Sequence, residues 1–228
     1  MSQKPSRGRL NNTLMFDLHS HIVFGVDDGA RSFEESKALL QEAKVRGIDQ
    51  IMCTPHCRWD SFDKRTIQMN FDSLQEYAES QNIKLDLGYE VNWKKLGEFG
   101  VEQAGSLCLG NTGMFLLELS DESMPPNWES SVHKLQSAGL LVVIAHPERY
   151  RAVQNNLDVA KRMKELGCLI QVSANFMQDG LFGARKKTVM ALLKEDLVDY
   201  VASDAHRIGD YEQYIQALAY CKKHAQSK

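Results

Sequence analysis

Ten acidic and histidine side chains able to ligate a metal recur along the chain: Asp17, His19, His21, Asp28, His56, Glu90, Glu118, His146, Asp204 and His206. His19 and His21 are two residues apart, so on an extended strand both rings leave the same face and can grip one ion. Asp204 and His206 repeat that spacing. Asp17, on the same face as His19, is expected to orient a histidine rather than to bind metal. Asp27 and Asp28 precede Gly29, and the pair reads either as a turn or as the source of one carboxylate ligand. His56 follows Pro55 directly after a strand. Glu90 and Glu118 end otherwise apolar strands, where a carboxylate without a partner is costly and a cation removes the cost. His146 follows an apolar run, and three residues later comes Arg149, a guanidinium suited to bidentate contact with a phosphate. The competing reading of Arg149 is an ion pair with Glu148 or another acid. His133 and His224 are assigned structural roles. A set of nitrogen and oxygen donors without thiolate suits Mn, Fe or Zn. Ions about 3.5–4 Å apart can share a hydroxide nucleophile, and such sites most often cleave phosphoesters.

These residues fall mostly just after short apolar segments that read as strands: Leu14 to Leu18, Gln50 to Thr54, Ile83 to Val91, Met114 to Leu119, Leu140 to Ala145, Cys168 to Ser173 and Asp199 to Ala202. Helical patterns fill the gaps. Ser32 and Glu35 form a capping box ahead of Leu39, Leu40 and Ala43, with Gly47 as a stop. Ile67, Phe71, Leu74 and Ala78 make a second apolar stripe. Further helices are expected after Pro125 and Pro126 as far as about Ala138, over Leu157 to Leu166, over Thr188 to Leu193 and over Tyr211 to Tyr220. Seven βα units predict parallel strands with right-handed crossovers, an α/β class able to close a barrel. Every candidate ligand then lies at the carboxyl ends of the strands, where barrels place their chemistry.

The chain has 228 residues, 43% hydrophobic and 25% charged, with a net charge of −3. That composition suits a globular protein with a large core and gives no broad basic surface for nucleic acid. No apolar run approaches a membrane span, so no membrane insertion is expected. Residues 1–13 are polar and basic without a signal-type apolar core, and read as a disordered extension ahead of one catalytic domain over 14–228. Five cysteines and no signal argue for free thiols in a reducing cytoplasm. Cys53 and Cys57 flank His56, but no second Cys pair follows at zinc-ribbon spacing. A cysteinyl-phosphate mechanism needs an arginine six positions after the nucleophile. The residues at that spacing are Trp59, Asp63, Met114, Ala174 and Ser227, so this route is unsupported.

The segments DLHSHIVFGVDDGARSFEESKALL, CTPH, GYEV, LLELS, VVIAHPERY and VASDAH, in order from residue 17 to residue 206, resemble the PHP (polymerase and histidinol phosphatase) superfamily. Within it they are similar to the bacterial manganese-dependent protein-tyrosine phosphatases of capsule and exopolysaccharide loci. The resemblance implies a distorted (β/α)7 barrel, the PHP fold, holding up to three ions, with Mn²⁺ expected and Fe or Zn as alternatives. It groups His19, His21, Glu90 and Asp204 around one ion. Glu90, Glu118 and His146 would hold a second, and Asp28, His56 and His206 a third. A metal-bridging hydroxide would attack phosphorus in line while Arg149 binds the phosphoryl group. Arg207, beside the final histidine, stands near the place of a further substrate-binding basic residue in relatives. A phosphotyrosine-containing bacterial tyrosine kinase is the implied partner, and an oligomer is left open. A small-molecule phosphatase such as a histidinol-phosphatase is the alternative, with a PHP nuclease behind it.

Overall fold

The computed structural model describes residues 15–58, 62–180 and 183–225, with 99–101 as backbone only. The expected N-terminal extension, and Leu14 of the expected first strand, lie outside the described residues. In chain order the elements are β1 (Met15–Ser20), α1 (Phe33–Val45), β2 (Ile48–Cys53), β3 (His56–Cys57), α2 (Lys64–Ser80), β4 (Lys84–Leu87), β5 (Glu90–Asn92), α3 (Trp93–Ala104), β6 (Met114–Glu118), α4 (Trp128–Ser137), β7 (Leu141–Ala145), α5 (Arg151–Asn155), α6 (Asp158–Glu165), β8 (Leu169–Ser173), α7 (Ala184–Lys194), β9 (Tyr200–Ala202) and α8 (Asp210–Ala225). All strand pairs are parallel. One sheet runs β1-β2-β4 and the other β3-β5-β6-β7-β8-β9.

The two sheets are parts of one ring. The ring closes where Ser20 bridges Ala205, with Asp204 N donating to His19 O and His21 N to Ala205 O, each at 2.8 Å. It breaks between β2 and β3 at Pro55, which has no N–H for the ladder. It breaks again between β4 and β5, so the single strand expected over Ile83 to Val91 is two. At that break Gly88 sits against the backbone of Leu109, and a Cβ there would lie 2.7 Å from Leu109 Cα. Gly88 N donates to Cys53 O at 2.9 Å, which carries the pairing across the gap. Counting β2–β3 and β4–β5 each as one broken strand, seven parallel strands circle a distorted barrel, as expected from the sequence.

Leu18, Met52, Leu116, Val143, Ala145 and Ala202 pack together as a small apolar cluster of their own. Because Glu118 lies two residues beyond Leu116 on β6, strand alternation seats its carboxylate above this floor, and Asp204 follows Ala202 just past the end of β9. The larger core lies between strands and helices and includes Leu39, Leu40 and Ala43 of α1 and Ile67, Phe71, Leu74 and Ala78 of α2, the apolar positions read from the sequence. Ser32 caps α1 by accepting from Glu35 N, although Glu35 reaches back to Arg31 N rather than to Ser32. Helix α3 was not expected. Its N-cap is Asn92, which accepts from Lys94 N at 3.1 Å, and Gly97 and Gly100 lower its helix propensity.

Gly88→Ala should destabilise the protein by roughly 1–3 kcal/mol, the cost of forcing atoms into a packed interior. The measurement is urea unfolding of the metal-free protein, and an unchanged midpoint would show that the break tolerates a side chain.

Candidate metal centre

The closed end of the ring gathers nine of the ten candidates. His19, His21, His146, Glu90 and Asp204 are almost completely buried, and His56 nearly so. Their donor atoms fall into four overlapping groups: His21, Asp28, His56 and His206; His19, His21 and Asp204; His19, Glu90 and His146; His56, Glu90 and Glu118. The geometry therefore sets Glu118 with His56 and Glu90, and His146 with His19 and Glu90. The resemblance had grouped Glu118 with His146.

Asp17 is the exception. A register shift between Asp17 and Ser20 on β1 breaks the strand alternation, so Asp17 does not share a face with the two histidines. It accepts instead from Ser203 N at 2.8 Å and Ser203 Oγ at 2.5 Å, fixing the segment after β9. The residue that orients His19 is Gln171 on β8, whose Oε1 lies 3.0 Å from His19 Nδ1. The sequence reading missed it. Gln171 stands two residues before Ser173 in an otherwise apolar buried strand, and a buried amide there was the available signal.

Asp27 and Asp28 separate on contacts. Asp27 Oδ2 lies 2.8 Å from His21 Nδ1 and accepts from His56 N at 3.0 Å, while Oδ1 accepts from Gly29 N at 3.0 Å. Both its oxygens are occupied in orienting neighbours. Asp28, 63% exposed, reaches His56 Nε2 at 3.0 Å and His206 Nε2 at 3.6 Å. Gly29 permits this loop to fold back, since a Cβ there would sit 2.0 Å from His21 O.

The histidine contacts fix which nitrogens face inward. His19 Nδ1 meets the Gln171 oxygen, His21 Nδ1 meets the Asp27 carboxylate, and His206 Nδ1 meets Asp204 O at 2.8 Å. Each Nδ1 must carry the proton to make these bonds, which leaves Nε2 as the lone-pair nitrogen. Yet His19 Nε2 and His21 Nε2 lie 3.0 Å apart. Two facing lone pairs at that distance repel unless a cation or a proton stands between them. Glu90 Oε2 and His56 Nδ1 approach to 2.6 Å, and both remain without a properly aligned hydrogen bond. Atoms that crowd without bonding each other are aimed at a common third point. The donor set fits divalent cations.

Carboxylate placement has the same sense. Asp204 Oδ2 accepts from Arg149, from Ser173 Oγ at 3.1 Å and from Asn175 Nδ2 at 3.3 Å. Its Oδ1 is left toward His19 and His21, at 3.5 and 3.4 Å. Both Asp204 and His146 hold the left-handed backbone region, with φ of 53° and 34°. Such strain in residues other than glycine marks positions the surrounding structure holds for a purpose. Tyr150 helps hold His146: its hydroxyl donates to Ala145 O and accepts from Leu119 N, tying together the strand ends that carry Glu118 and His146.

Arg149 forms the ion pair that was the competing reading, but with Asp204 rather than Glu148. Its Nη2 donates to Asp204 and, at 3.2 Å, to Ser173 Oγ, and the side chain stays 23% exposed. Glu148 is buried and accepts from Ser173 N at 2.9 Å. Arg207 has an exposed side chain beside His206, and its backbone N–H is tied to Asp210. A second guanidinium that the sequence reading passed over, Arg58, donates to Glu118 Oε1 at 3.3 Å. Its signal was the spacing of two from His56, which repeats the spacing of His19 and His21.

Burial by itself would raise the Glu90 pKa, but His56 and His19 hold it well below the usual carboxylate range. Burial would lower the two histidines, and Glu90 leads the groups that reverse this, raising His19 to about 9 and His56 to about 10. The five cysteines are buried, and burial pushes their thiols up, Cys57, Cys168 and Cys221 to about 12. A thiolate nucleophile has no support here.

With no cation bound, the protonated His19 and His56 stabilise the fold below the ordinary histidine pKa of about 6.5, and that contribution is lost as pH rises through about 9 to 10. Cations compete with those protons, so metal uptake near neutral pH should release about one proton from each of the two rings and tighten as pH rises. Calorimetry in buffers of different ionisation enthalpy reads the release; uptake without it would contradict the assignment. Asp27→Ala should weaken metal affinity by about 10–100-fold, the usual cost of losing a partner that orients a ligand. Equilibrium dialysis measures it.

A family model for capsular polysaccharide synthesis, CpsB/CapC, matches residues 15–228. The tyrosine-protein phosphatase CpsB of Streptococcus pneumoniae is 32% identical over 211 residues, covering 89% of this chain and 87% of its own. The tyrosine-protein phosphatase YwqE of Bacillus subtilis is 28% identical over 211 residues, covering 90% of this chain and 83% of its own. A crystal structure from the pair YwqE of Bacillus subtilis and CpsB of Streptococcus pneumoniae, described as unique metal-dependent tyrosine phosphatases, superposes with a TM-score of 0.81 at 26% identity, covering 94% of this chain and 88% of that one. With the family model spanning nearly the whole chain and a buried histidine–carboxylate cluster at the mouth of a seven-stranded barrel, the chain belongs to the CpsB/CapC family of capsular polysaccharide synthesis.

Proposed function

We propose that this chain is a metal-dependent protein-tyrosine phosphatase acting on a phosphotyrosine-bearing bacterial tyrosine kinase in the cytoplasm, within the regulation of capsule or exopolysaccharide synthesis. The observation that carries the reading is the convergence of tautomer-fixed histidines, with His19 and His21 Nε2 at 3.0 Å, onto the oxygens of Glu90 and Asp204. The relatives' named activity gives the substrate class. Among the described residues no helix is long and apolar enough to cross a membrane.

The nine ligands proposed are His19, His21, Asp28, His56, Glu90, Glu118, His146, Asp204 and His206, and the proposed metal is Mn²⁺ in up to three ions. Cations held there would activate a water and neutralise phosphoryl charge. The chain's own side chains do the positioning. Arg149, anchored through Nη2 by Asp204 and Ser173, has two further donor nitrogens with which to meet phosphoryl oxygens. Gln171 and Asp27 hold the ring orientations of His19 and His21. The buried floor of Leu116, Val143 and Ala202 keeps water from beneath, which strengthens every electrostatic contact above it. Tyrosine leaves as a phenolate with a solution pKa of about 10, so expulsion needs little protonation.

Metal-stripped protein should release phosphate from a phosphotyrosine peptide only after Mn²⁺ is restored. Histidinol phosphate, assayed in parallel, should be turned over poorly; turnover of that substrate alone would move the chain to the small-molecule class. Arg149→Ala should leave metal content intact and lower kcat on the order of 10²–10³-fold, the scale seen when one charge-stabilising donor is removed.

A further inference from the structure

Arg58 has no part in the ligand set. It follows β3, two residues beyond His56, and is 43% exposed. Its side chain donates once, through Nη2, to Glu118 Oε1 at 3.3 Å. The other oxygen of Glu118 accepts from Asn92 Nδ2 at 2.9 Å, so Glu118 is held in place without the arginine. An ion pair made by a single contact from a side chain this exposed adds little to stability. Its location is more informative. Its guanidinium lies against Glu118 at the end of β6, whereas that of Arg149 lies against Ser173 at the end of β8 and Asp204 after β9, so the two meet the donor cluster from different strands.

Glu118, the carboxylate that Arg58 contacts, shares a cation-binding group with His56 and Glu90. Arg58 and the cations therefore draw on the same negative charge. When cations occupy the cluster, that charge is consumed, and Arg58 faces the mouth with its own charge uncompensated. A group in that position attracts an anion brought to the cluster.

We propose that Arg58 is a second phosphoryl-binding residue, which grips the oxygens of the bound phosphoryl group beside Glu118, away from Arg149, once cations have taken over Glu118. The inference rests on the phosphatase reading for its substrate, but its phosphate-binding core is tested without turnover. Two linked consequences separate it from a structural role. Removing Arg58 removes a competitor for Glu118, so cation affinity is held or rises. It also removes an anion contact, so phosphate affinity falls.

The experiment compares wild type, Arg58→Gln and Arg58→Lys. Mn²⁺ uptake is measured in phosphate-free buffer, and inorganic phosphate binding to the Mn²⁺-loaded proteins is measured by calorimetry. KM and kcat for a phosphotyrosine peptide are measured alongside. Arg58→Gln should bind phosphate about tenfold or more weakly, the worth of one hydrogen bond to a charged group, with Mn²⁺ affinity equal or higher. Arg58→Lys should recover part of the loss, and KM should rise more than kcat falls. Unchanged phosphate affinity in Arg58→Gln would overturn the proposal, and so would weakened Mn²⁺ uptake, which would make Arg58 a positioning residue for Glu118. If wild type fails to hydrolyse the peptide, the phosphatase reading fails while the phosphate arm still decides the role of Arg58.

Discussion

The burial of facing imidazole lone pairs and carboxylate oxygens in one small space is the constraint from which the rest of the site follows. His19, His21, His146, Glu90 and Asp204 are withdrawn almost wholly from water. Uncompensated, so many buried polar groups would cost several kcal/mol each. Without cations the site balances itself internally: two histidines take protons at unusually high pKa and Glu90 stays ionised. That arrangement also prepares it for cations, because each proton is held where a cation would sit. The pairing of Arg149 with Asp204, and of Arg58 with Glu118, has the same character.

The barrel serves this constraint. Parallel strands bring His19, Glu118, His146 and Asp204 from distant parts of the chain to one end, and the breaks at Pro55 and Gly88 let β3 and β5 turn His56 and Glu90 toward the same end. Beyond the ligands, a layer of committed polar contacts fixes orientation. Gln171 and Asp27 fix rings, Ser173 and Asn175 fix one oxygen of Asp204, and Tyr150 ties two strand ends. Each leaves its partner one atom to offer inward.

The clustered histidines and carboxylates were legible in the sequence because they are chemically expensive residues at the ends of apolar runs, and few packing roles explain them. The layer behind them was not. Asp17 has the right type and spacing to orient His19, but a shift in strand register, which spacing does not encode, turns it toward Ser203. Gln171 lies far from His19 in the chain, and only the ring order of β8, β9 and β1 brings them together. Asp27 and Asp28 are the same residue type in one turn, and backbone direction alone decides which orients and which reaches into the cluster. The apolar stripes of α1 and α2 were read correctly; α3 is as amphipathic as α2, but Gly97 and Gly100 give its segment a low helix propensity. The long strand through Gly88 looked continuous because both halves are apolar, and its break is set by the close approach of Leu109.

The central claim is that the inward Nε2 atoms of His19 and His21 share a cation with Asp204. Diffraction from Mn²⁺-soaked crystals, recorded at the manganese absorption edge, tests it most directly. The account predicts an anomalous peak at ordinary coordination distance, roughly 2 Å, from both Nε2 atoms and from Asp204 Oδ1. An anomalous map with no peak there, or ions held only by exposed carboxylates elsewhere, would contradict it.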